Sequence, residues 1–399
     1  MSQFPEEPLD RPSEQGCGFF PARHGLLLND GRYKIMRKLG RGQYSSTWLV
    51  SDSQATETPQ YYAAKILTAY ATALHRKGLL LELEILKAIK ELKGIHKLPR
   101  LLDDFEIDGP HGQHLCLVMP VLSTDVSSFR RSAPSKRLGL QAVKIIVVQV
   151  VESLVSLHAA QIIHTDVKPD NVLFAEGTAP QSIEKLLEDN PVSVNGEFEL
   201  HGVQYPIILS QPVPHPFRWD DRPTEVELYS VMLADLGSAQ WADKEPTTRI
   251  VGAIGLRAPE VILGPNFDNK VDVWAVGCMA FELLTGHWLF NPQSGSTWST
   301  EDDHLAKMIE VTGETFSESM LSASPKSAEY FDKDGKLLRI DELLPVPLET
   351  AMMNYGLPEA EVIPAANFIR ACLHLNPKER SSASDLEAHP WLETAYMCC

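Results

Sequence analysis

Residues 163–171 contain three side chains whose types and spacing suit the transfer of a phosphoryl group. They are an acid, a cation and a carboxamide at Asp166, Lys168 and Asn171. A carboxylate can orient an attacking hydroxyl and accept its proton, a lysine can neutralise charge on the transferred group, and an asparagine oxygen can bind Mg²⁺. Polar residues also cluster in ordinary loops between core segments, so the pattern needs support from the rest of the chain.

A glycine-containing turn occupies residues 40–45, between two segments that read as strands. Gly40 and Gly42 lack a Cβ atom, so the backbone there can approach a polyphosphate closely. The third position of the pattern G-x-G-x-x-G is Ser45, which leaves the pattern incomplete. Because many tight hairpins carry two glycines, this turn alone is weak evidence for phosphate binding.

Lys65 lies among apolar residues in a third strand-like segment, where an unpaired charge would be costly. Residues 74–93 follow with apolar side chains at helical spacing, and Glu82 falls on the apolar face of that predicted helix. Glu82 therefore could pair with Lys65 and hold it against the α- and β-phosphates of a nucleotide. Glu84, two residues further on, is the competing candidate.

Asp235, Leu236 and Gly237 follow a short apolar segment that predicts a buried strand. A carboxylate at a strand end suits a Mg²⁺ ligand, although Asp-x-Gly is also a common turn. The order along the chain carries more weight than any one signal. A glycine turn, a strand lysine, a helix glutamate, D-x-K-x-x-N and D-x-G follow one another as in the protein-kinase signature set.

The chain resembles a eukaryotic protein kinase over residues 32–392, and more narrowly it is similar to the SR-protein kinase family of the CMGC group. The segments that carry this resemblance are residues 18–21, 39–49, 63–65, 162–171, 234–239, 258–260, 301–304 and 389–392. The resemblance implies an α+β, bilobal protein kinase fold, with a small β-rich N-lobe and a large helical C-lobe.

The expected domain bounds follow from this resemblance. They are an N-terminal extension packing on the kinase (1–31), the N-lobe (32–119), a hinge (120–122), the C-lobe (123–392) and a tail (393–399). Within the C-lobe we expect a family-type insert at 175–230 and a CMGC insert at 291–360. The hydrophobic patterns predict strands at 33–39, 47–50, 61–67, 98–105, 115–119 and 231–234, and helices at 74–93, 141–158, 271–284, 367–375 and 384–389.

The resemblance also assigns roles to the matching residues of this chain. It makes Asp166 the catalytic base, Lys168 the contact to the γ-phosphate, and Asn171 and Asp235 the Mg²⁺ ligands. The ATP-binding residues that it implies are Leu39, Gly40, Arg41, Gly42, Gln43, Tyr44, Ser45, Thr47, Ala63, Lys65, Glu82, Met119, Pro120, Leu122 and Leu173. ATP and Mg²⁺ are the expected cofactors.

Thr165 departs from the kinase pattern, since an arginine commonly precedes the catalytic aspartate. That arginine gathers a phosphorylated activation loop, so its loss removes the main anchor of the usual phosphorylation switch. The loop between Gly237 and Ala258 is also short. Together these features predict a constitutively active kinase.

The distance in sequence between Asn171 and Asp235 is a second departure. They are 235 − 171 = 64 residues apart, whereas kinases commonly place these positions within about fifteen residues. Long loops are usually functional or disordered. The insert could be a tolerated surface insertion, or residues 181–189 could form a helix that docks on the kinase.

The implied substrates are Arg-Ser-rich, splicing-factor-like proteins held in an acidic groove. Asp303 and Glu310 match two acidic positions of that groove, and their spacing of seven residues places them on one helical face. His287 and Asn354 fall where the family has a further acid and a lysine, which predicts weaker docking and less processive phosphorylation. A plain solvated helix face is the simpler interpretation of the acids.

Two other functions compete with this hypothesis. One is a CMGC-type kinase that acts on another basic or Pro-directed protein. The other is a catalytically dead scaffold, which the presence of Lys65, Asp166, Asn171 and Asp235 disfavours.

The composition of the 399-residue chain is that of a soluble globular protein, with 44% hydrophobic and 22% charged residues. A net charge of −17 argues against direct nucleic-acid binding and is compatible with a basic partner. Without a signal-peptide pattern or zinc-type cysteine spacing, we expect a monomer with reduced thiols in the cytoplasm and nucleus, not at a membrane. Cys398 and Cys399 are weak candidates for lipid attachment.

Overall fold

A computed structural model of the chain describes residues 6–55, 59–92, 97–248, 251–264 and 267–396. The chain forms two compact units. The first takes Met1–Gly94, Leu98–Thr124 and Leu173–Pro216, and the second takes Ile95–Lys97, Asp125–Val172 and Phe217–Cys399. Cys398 and Cys399 lie outside the described residues, so the lipid-attachment hypothesis stays a prediction.

The strands of the described residues are β1 (Leu27–Leu28), β2 (Tyr33–Arg41), β3 (Ser45–Asp52), β4 (Tyr61–Leu67), β5 (Asp103–Gly109), β6 (Gly112–Pro120), β7 (Ile162–Ile163), β8 (Val172–Phe174), β9 (Val194–Leu200), β10 (Val203–Ile208), β11 (Val231–Leu233) and β12 (Gln240–Trp241). The α-helices are α1 (Ala69–Arg76), α2 (Glu82–Glu91), α3 (Val126–Ser132), α4 (Leu140–Ala159), α5 (Pro180–Asp189), α6 (Pro223–Val226), α7 (Pro259–Leu263), α8 (Lys270–Thr285), α9 (Thr300–Thr312), α10 (Glu318–Ala323), α11 (Ser327–Tyr330), α12 (Leu348–Asn354), α13 (Glu359–Cys372), α14 (Ala383–Glu387) and α15 (Pro390–Glu393).

The first unit is built on an antiparallel sheet with strand order β1-β2-β3-β4-β6-β5. Its register aligns Thr47 with Lys65 and Lys65 with Leu117, and it aligns Ala63 with Met119. Because side chains alternate between the two faces of a strand, these five residues share one face of the sheet. The sheet thus presents several of the predicted ATP-binding residues on a single surface.

The opposite face of the sheet forms the core of the first unit. Trp48, Ala64 and Val118 are buried there with side chains from the neighbouring strands. Phe20 and Leu28, from the N-terminal extension, cover this core and are 9% and 4% exposed. The extension therefore supplies apolar area that the sheet needs on that face.

The single helix predicted at residues 74–93 is wrong, because two helices occupy this region. α1 ends before Gly78, which adopts a left-handed conformation with φ of 69°. Glycine takes this conformation without steric cost and commonly stops a helix. Leu79, expected on the apolar face, is 49% exposed, and α2 begins afresh at Glu82.

The insert is divided between the two units, because the first unit contains residues up to Pro216. This differs from the expected bounds, which assigned all of residues 175–230 to the helical lobe. The physical reason is apolar packing by α5. Ile183 is 1% exposed and lies in a cluster with Leu49, Val121 and Val213 of the same unit.

Two apolar helices dominate the second unit, as the sequence predicted. α4 and α8 extend the predicted helices 141–158 and 271–284 by one residue at each end. α4 is long and apolar enough to cross a membrane, but 72% of its apolar stretch is buried inside the protein. Core helices of globular proteins can have the same length and composition. α13 begins at Glu359, eight residues before the predicted start, despite Pro364 within it.

Candidate active site

Asp272, near the start of α8, fixes the backbone of the loop that contains Asp166. Its two carboxylate oxygens accept hydrogen bonds from the backbone N–H groups of His164 at 2.8 Å and Thr165 at 2.7 Å. The ring of His158 is 2.9 Å from the same carboxylate, which is 1% exposed. Buried polar groups need such partners, so the loop conformation depends on Asp272.

Thr165 adopts a backbone conformation that β-branched residues avoid, with φ of 69°. Such strain costs on the order of 1–3 kcal/mol and persists only where the surroundings impose it. Here the backbone bond to Asp272 is one constraint. The Thr165 hydroxyl supplies a second, because it donates to the carbonyl of Ser238 at 2.9 Å. Thr165 therefore ties the loop to the residue that follows Gly237.

The three residues first singled out in the sequence lie in one hydrogen-bonded group. Asp166 Oδ2 accepts from Lys168 Nζ at 2.6 Å and from Asn171 Nδ2 at 3.0 Å. Asn171 Nδ2 also donates to the backbone carbonyl of Asp166 at 2.8 Å. The carboxylate of Asp166 is thereby held in a fixed orientation, as a group that accepts a proton requires.

His164 is a site residue to which the sequence assigned no role of its own. Its Nε2 lies 3.0 Å from the carbonyl of Ala234, and its Nδ1 accepts from the backbone N–H of Asp166 at 3.3 Å. Ala234 donates in turn to the carbonyl of Asn171 at 2.8 Å. These contacts join the loop to the end of β11, immediately before Asp235.

Asp235 is the second strained residue, in the left-handed region with φ of 61° and ψ of 74°. Strained non-glycine residues cluster at functional sites. In Asn171 the amide nitrogen donates both hydrogen bonds to Asp166, so the side-chain oxygen is the atom that can bind a metal. Asp235 supplies a carboxylate, and oxygen donors of these two kinds fit a hard divalent cation.

Within the described ranges, the structure contains no group of three or more His, Cys, Asp or Glu residues that could hold a metal ion. The candidate pair of Asn171 and Asp235 contains only one residue of these types. Mg²⁺ in particular is usually bound through one or two protein side chains together with water and substrate phosphates.

In the first unit, Lys65 and Glu82 form the ion pair that the sequence suggested. Lys65 Nζ lies 2.5 Å from Glu82 Oε1, and the two side chains are 12% and 4% exposed. Glu84 lies on the exposed side of α2, so the structure favours Glu82 over the competing candidate. Glu82 is in the first turn of α2, where the helix dipole stabilises a negative charge.

The glycines of the turn have space that the fold itself does not fill. A Cβ atom at Gly40 would meet nothing within 4 Å, and one at Gly42 would meet only Ser45 atoms at 3.7 and 4.0 Å. Neither glycine has the positive φ that would require this residue type. The turn is closed by a hydrogen bond from Gly42 N–H to the Ser45 carbonyl at 2.8 Å. Open space beside two glycines is what an approaching phosphate chain needs.

The other predicted ATP-binding residues also fall in the first unit. Arg41, Gln43 and Tyr44 are exposed at the turn, whereas Ser45 and Ala63 are buried. The half-buried members of the set are Leu39, Thr47, Met119, Pro120, Leu122 and Leu173. The structure thus places the predicted ATP-binding residues, with the glycine turn and the ion pair, in one unit, and the catalytic loop with Asp235 in the other.

A comparison with protein-family models matches the protein kinase domain at residues 33–187 and 221–392. The chain is 31% identical to the serine/threonine-protein kinase SRPK of Physarum polycephalum, over 94% of this chain and 89% of that protein. The chain belongs to the SRPK family of protein kinases. It is therefore a serine/threonine protein kinase that uses ATP and a divalent metal ion.

Other relatives of this SRPK-family kinase include SRSF protein kinase 3 of Mus musculus, 26% identical over 94% of this chain and 88% of that protein. Protein kinase dsk1 of Schizosaccharomyces pombe is 28% identical over 94% and 83% of the two chains. The crystal structure of a kinase domain matches with a TM-score of 0.66 at 21% identity, covering 94% of this chain and 98% of that one. This last likeness confirms the kinase fold.

The two candidate docking acids of this SRPK-family kinase lie on α9 and already have partners within the protein. Asp303 accepts from the ammonium of Lys307, one turn along the helix, and from the backbone N–H of Gln293 at 2.7 Å. Glu310 accepts from the backbone N–H of Leu344 at 2.8 Å. A basic substrate would have to share or displace these contacts.

A second buried ion pair stabilises the second unit of the kinase. Arg380 makes two hydrogen bonds to Glu260, at 2.7 and 3.1 Å, and its side chain is fully buried. A paired, bidentate arrangement is what a buried arginine requires. This contact holds the start of α7.

Proposed function

We propose that this kinase transfers the γ-phosphate of ATP, with Mg²⁺, to serine in Arg-Ser-rich proteins. The observation that carries the proposal is the hydrogen-bonded group of Asp166, Lys168 and Asn171, in a chain that aligns over 94% of its length with SRPK-family kinases. Relatives named SRSF protein kinase 3 support the substrate class. The net charge of −17 favours a basic protein substrate.

In this proposal each residue has a distinct role. Asp166 orients the serine hydroxyl and accepts its proton, and Lys168 neutralises negative charge on the transferred phosphoryl group. Asn171 and Asp235 hold Mg²⁺, which supplies positive charge beside the phosphates. Lys65, aligned by Glu82, binds the α- and β-phosphates.

Two synthetic peptides of equal length and net charge, one with Arg-Ser repeats and one with Ser-Pro sites, test the substrate class. With ATP and Mg²⁺ we expect kcat/KM to be at least about tenfold higher for the Arg-Ser peptide, because differential transition-state binding sets specificity. A preference for the Ser-Pro peptide would instead support a Pro-directed CMGC kinase. The Asp166→Ala variant measures background phosphorylation.

We further propose that the kinase is active without phosphorylation of its own activation segment. Thr165 stands where an arginine would gather a phosphate, and its hydroxyl already fixes the segment through Ser238. The link uses neutral groups only, so no added charge is needed to form it.

Phosphatase treatment of the purified kinase is therefore expected to leave its activity unchanged. We predict that kcat/KM for the Arg-Ser peptide stays within about twofold, because the Thr165–Ser238 bond needs no phosphate. Mass spectrometry of the treated protein confirms that phosphate has been removed. A loss of activity that ATP pre-incubation restores would contradict the proposal.

Docking of a basic substrate is proposed to be weak because the ammonium of Lys307 already forms an ion pair with Asp303, one of the two candidate docking acids. Replacing Lys307 by methionine keeps much of the side-chain volume and frees Asp303. We expect KM for the Arg-Ser peptide to fall by about two- to fivefold, the range of a partly exposed ion pair. Steady-state kinetics at saturating ATP measures the change.

Asp303→Asn provides the matched control in a double-mutant cycle. Alone it should raise KM for the peptide, and combined with Lys307→Met it should remove the gain. If Lys307→Met raises KM as Asp303→Asn does, Lys307 contacts the substrate itself and the proposed competition is wrong.

A further inference from the structure

Strand β2, which leads into the glycine turn, pairs irregularly with β3. The register shifts between Ile35 and Arg37 and again between Lys38 and Gly40. Each shift leaves one extra residue on β2, the arrangement of a β-bulge. The end of β2 is therefore held less regularly by its neighbour than a continuous ladder would hold it.

The two residues between these irregularities are buried cations. Arg37 and Lys38 are 1% and 0% exposed. Arg37 Nη2 donates to the carbonyl of Asn190, just after α5, at 2.9 Å. Since a buried charge is costly without partners, this bond to the insert is a needed contact for Arg37.

Lys38 finds its partners in the N-terminal extension. Its ammonium contacts the carboxylates of both Glu6 and Glu7, whose side chains are 15% and 4% exposed. The same Nζ lies 3.4 Å from the carbonyl of Ile208 and 5.8 Å from the ring of Trp48. One buried lysine thus joins the extension, β2 and the end of β10.

The insert adds both backbone and side-chain hydrogen bonds to this junction. Gln211 N–H donates to the carbonyl of Lys38 at 2.9 Å, and the Ser210 hydroxyl donates to Glu6 at 2.7 Å. Burial alone would raise the pKa of Glu6, but hydrogen bonds from Lys38 and Ser210 hold that pKa below its ordinary value. Glu6 is therefore an ionised partner at neutral pH.

On the β3 side, the turn and the start of the strand are held by separate hydrogen bonds. The backbone N–H of Thr68 donates to the Tyr44 carbonyl at 2.8 Å, and the indole N–H of Trp48 donates to the Ser46 hydroxyl at 2.9 Å. At the β2 stem, Leu39 has no cross-strand partner on β3. Gly40 and Arg41, beyond Leu39, pair with Thr47 and Ser46 on β3. The contacts of Lys38 and Arg37 therefore hold β2 immediately before this irregular end.

We propose that Lys38 is a positioning residue for ATP binding. Its ion pairs with Glu6 and Glu7, together with the insert contact to its carbonyl, fix the strand end from which the glycine turn projects. The N-terminal extension and the insert thereby set the affinity for ATP without touching it. The inference rests on the proposed role of the glycine turn in ATP binding.

Two variants separate positioning from stability. Glu6→Gln with Glu7→Gln leaves Lys38 buried without a counter-charge, so thermal stability should fall. Adding Lys38→Met removes the unpaired charge and should recover stability, since a buried ion pair can be replaced by apolar side chains at little cost. The triple variant still lacks the ion pairs between residue 38 and the N-terminal extension. We therefore expect KM for ATP to remain about tenfold above the wild-type value, with kcat for the peptide little changed.

Asp52→Asn is the matched control at the other end of the β2–β3 pair, where Asp52 is aligned with Tyr33. Arg32, directly before β2, makes three hydrogen bonds from its guanidinium to Asp52, two from Nε at 3.3 Å and one from Nη2 at 3.0 Å. This variant should lower stability and leave KM for ATP unchanged. An equal rise of KM for ATP in the control would show that any loss of stability has this effect, and would overturn the positioning role.

Gly42→Val separates this inference from the proposed function on which it rests. If Gly42→Val raises KM for ATP and the triple variant has wild-type KM, Lys38 has no positioning role. If Gly42→Val leaves KM for ATP unchanged, the turn does not bind ATP. The ATP-binding role of the glycine turn and the positioning role of Lys38 are then both wrong. Raised KM in Gly42→Val and the triple variant, with an unaffected Asp52→Asn control, supports the inference.

Discussion

Replacing Asp166 by asparagine is expected to lower kcat by about 10²–10⁴-fold, the usual contribution of a positioned general base. Asparagine preserves the shape of the side chain and can still contact Lys168, but it cannot accept a proton from the serine hydroxyl. KM for ATP should change little, because Asp166 is proposed to act on the protein substrate. Initial rates with the Arg-Ser peptide at saturating ATP measure the effect.

Asp170 is the control for this prediction, since it is an exposed acid in the same loop. Asp170→Ala should retain kcat within about threefold, because the exposed carboxylate of Asp170 is not part of the hydrogen-bonded group around Asp166. Comparable losses in the two variants would indicate that the loop needs overall negative charge and would contradict a specific base at Asp166.

Replacing Asp272 by alanine is expected to destabilise the second unit by about 3–5 kcal/mol. The substitution removes the acceptor for the buried N–H groups of His164 and Thr165 and the partner of His158. It also releases the constraint that holds Thr165 in its strained conformation. Phosphate transfer should fall together with stability, although Asp272 contacts no substrate in the proposed mechanism.

Denaturant unfolding of the purified kinase measures the stability change. Asp272→Asn keeps one acceptor oxygen while placing an amide donor toward the second N–H group, so its loss should be intermediate between wild type and Asp272→Ala. A change below about 1 kcal/mol for Asp272→Ala would show that the loop is held by other contacts.

The catalytic trio could be predicted from sequence because its members are close along the chain. Asp166, Lys168 and Asn171 must lie near one another once the loop turns, and residue type then limits the chemistry. The contacts of Asp272 with this loop could not be predicted, because 107 residues separate Thr165 from Asp272. The same limit applies to the hydroxyl bond between Thr165 and Ser238.

The prediction from local apolar spacing was also wrong where a single glycine changes the direction of the chain. Residues 74–93 have the apolar spacing of a helix, yet the left-handed conformation of Gly78 ends α1 and starts a turn. A helix at residues 181–189 was one of two interpretations of the insert, and α5 occupies Pro180–Asp189. Its packing against Leu49 and Val121 was not specified, since a helical pattern does not identify the surface that buries its apolar face. Nothing in the sequence indicated that Lys38 is buried, because lysine side chains are ordinarily exposed.

Mapping of phosphate on an Arg-Ser-repeat protein by mass spectrometry tests the central claim most directly. The protein is incubated with ATP, Mg²⁺ and either the phosphatase-treated kinase or its Asp166→Asn variant. We predict phosphate on serines flanked by arginine with the wild-type kinase, and background levels with the variant. Absence of phosphate, modification confined to serines before proline, or equal modification by the variant would contradict the account.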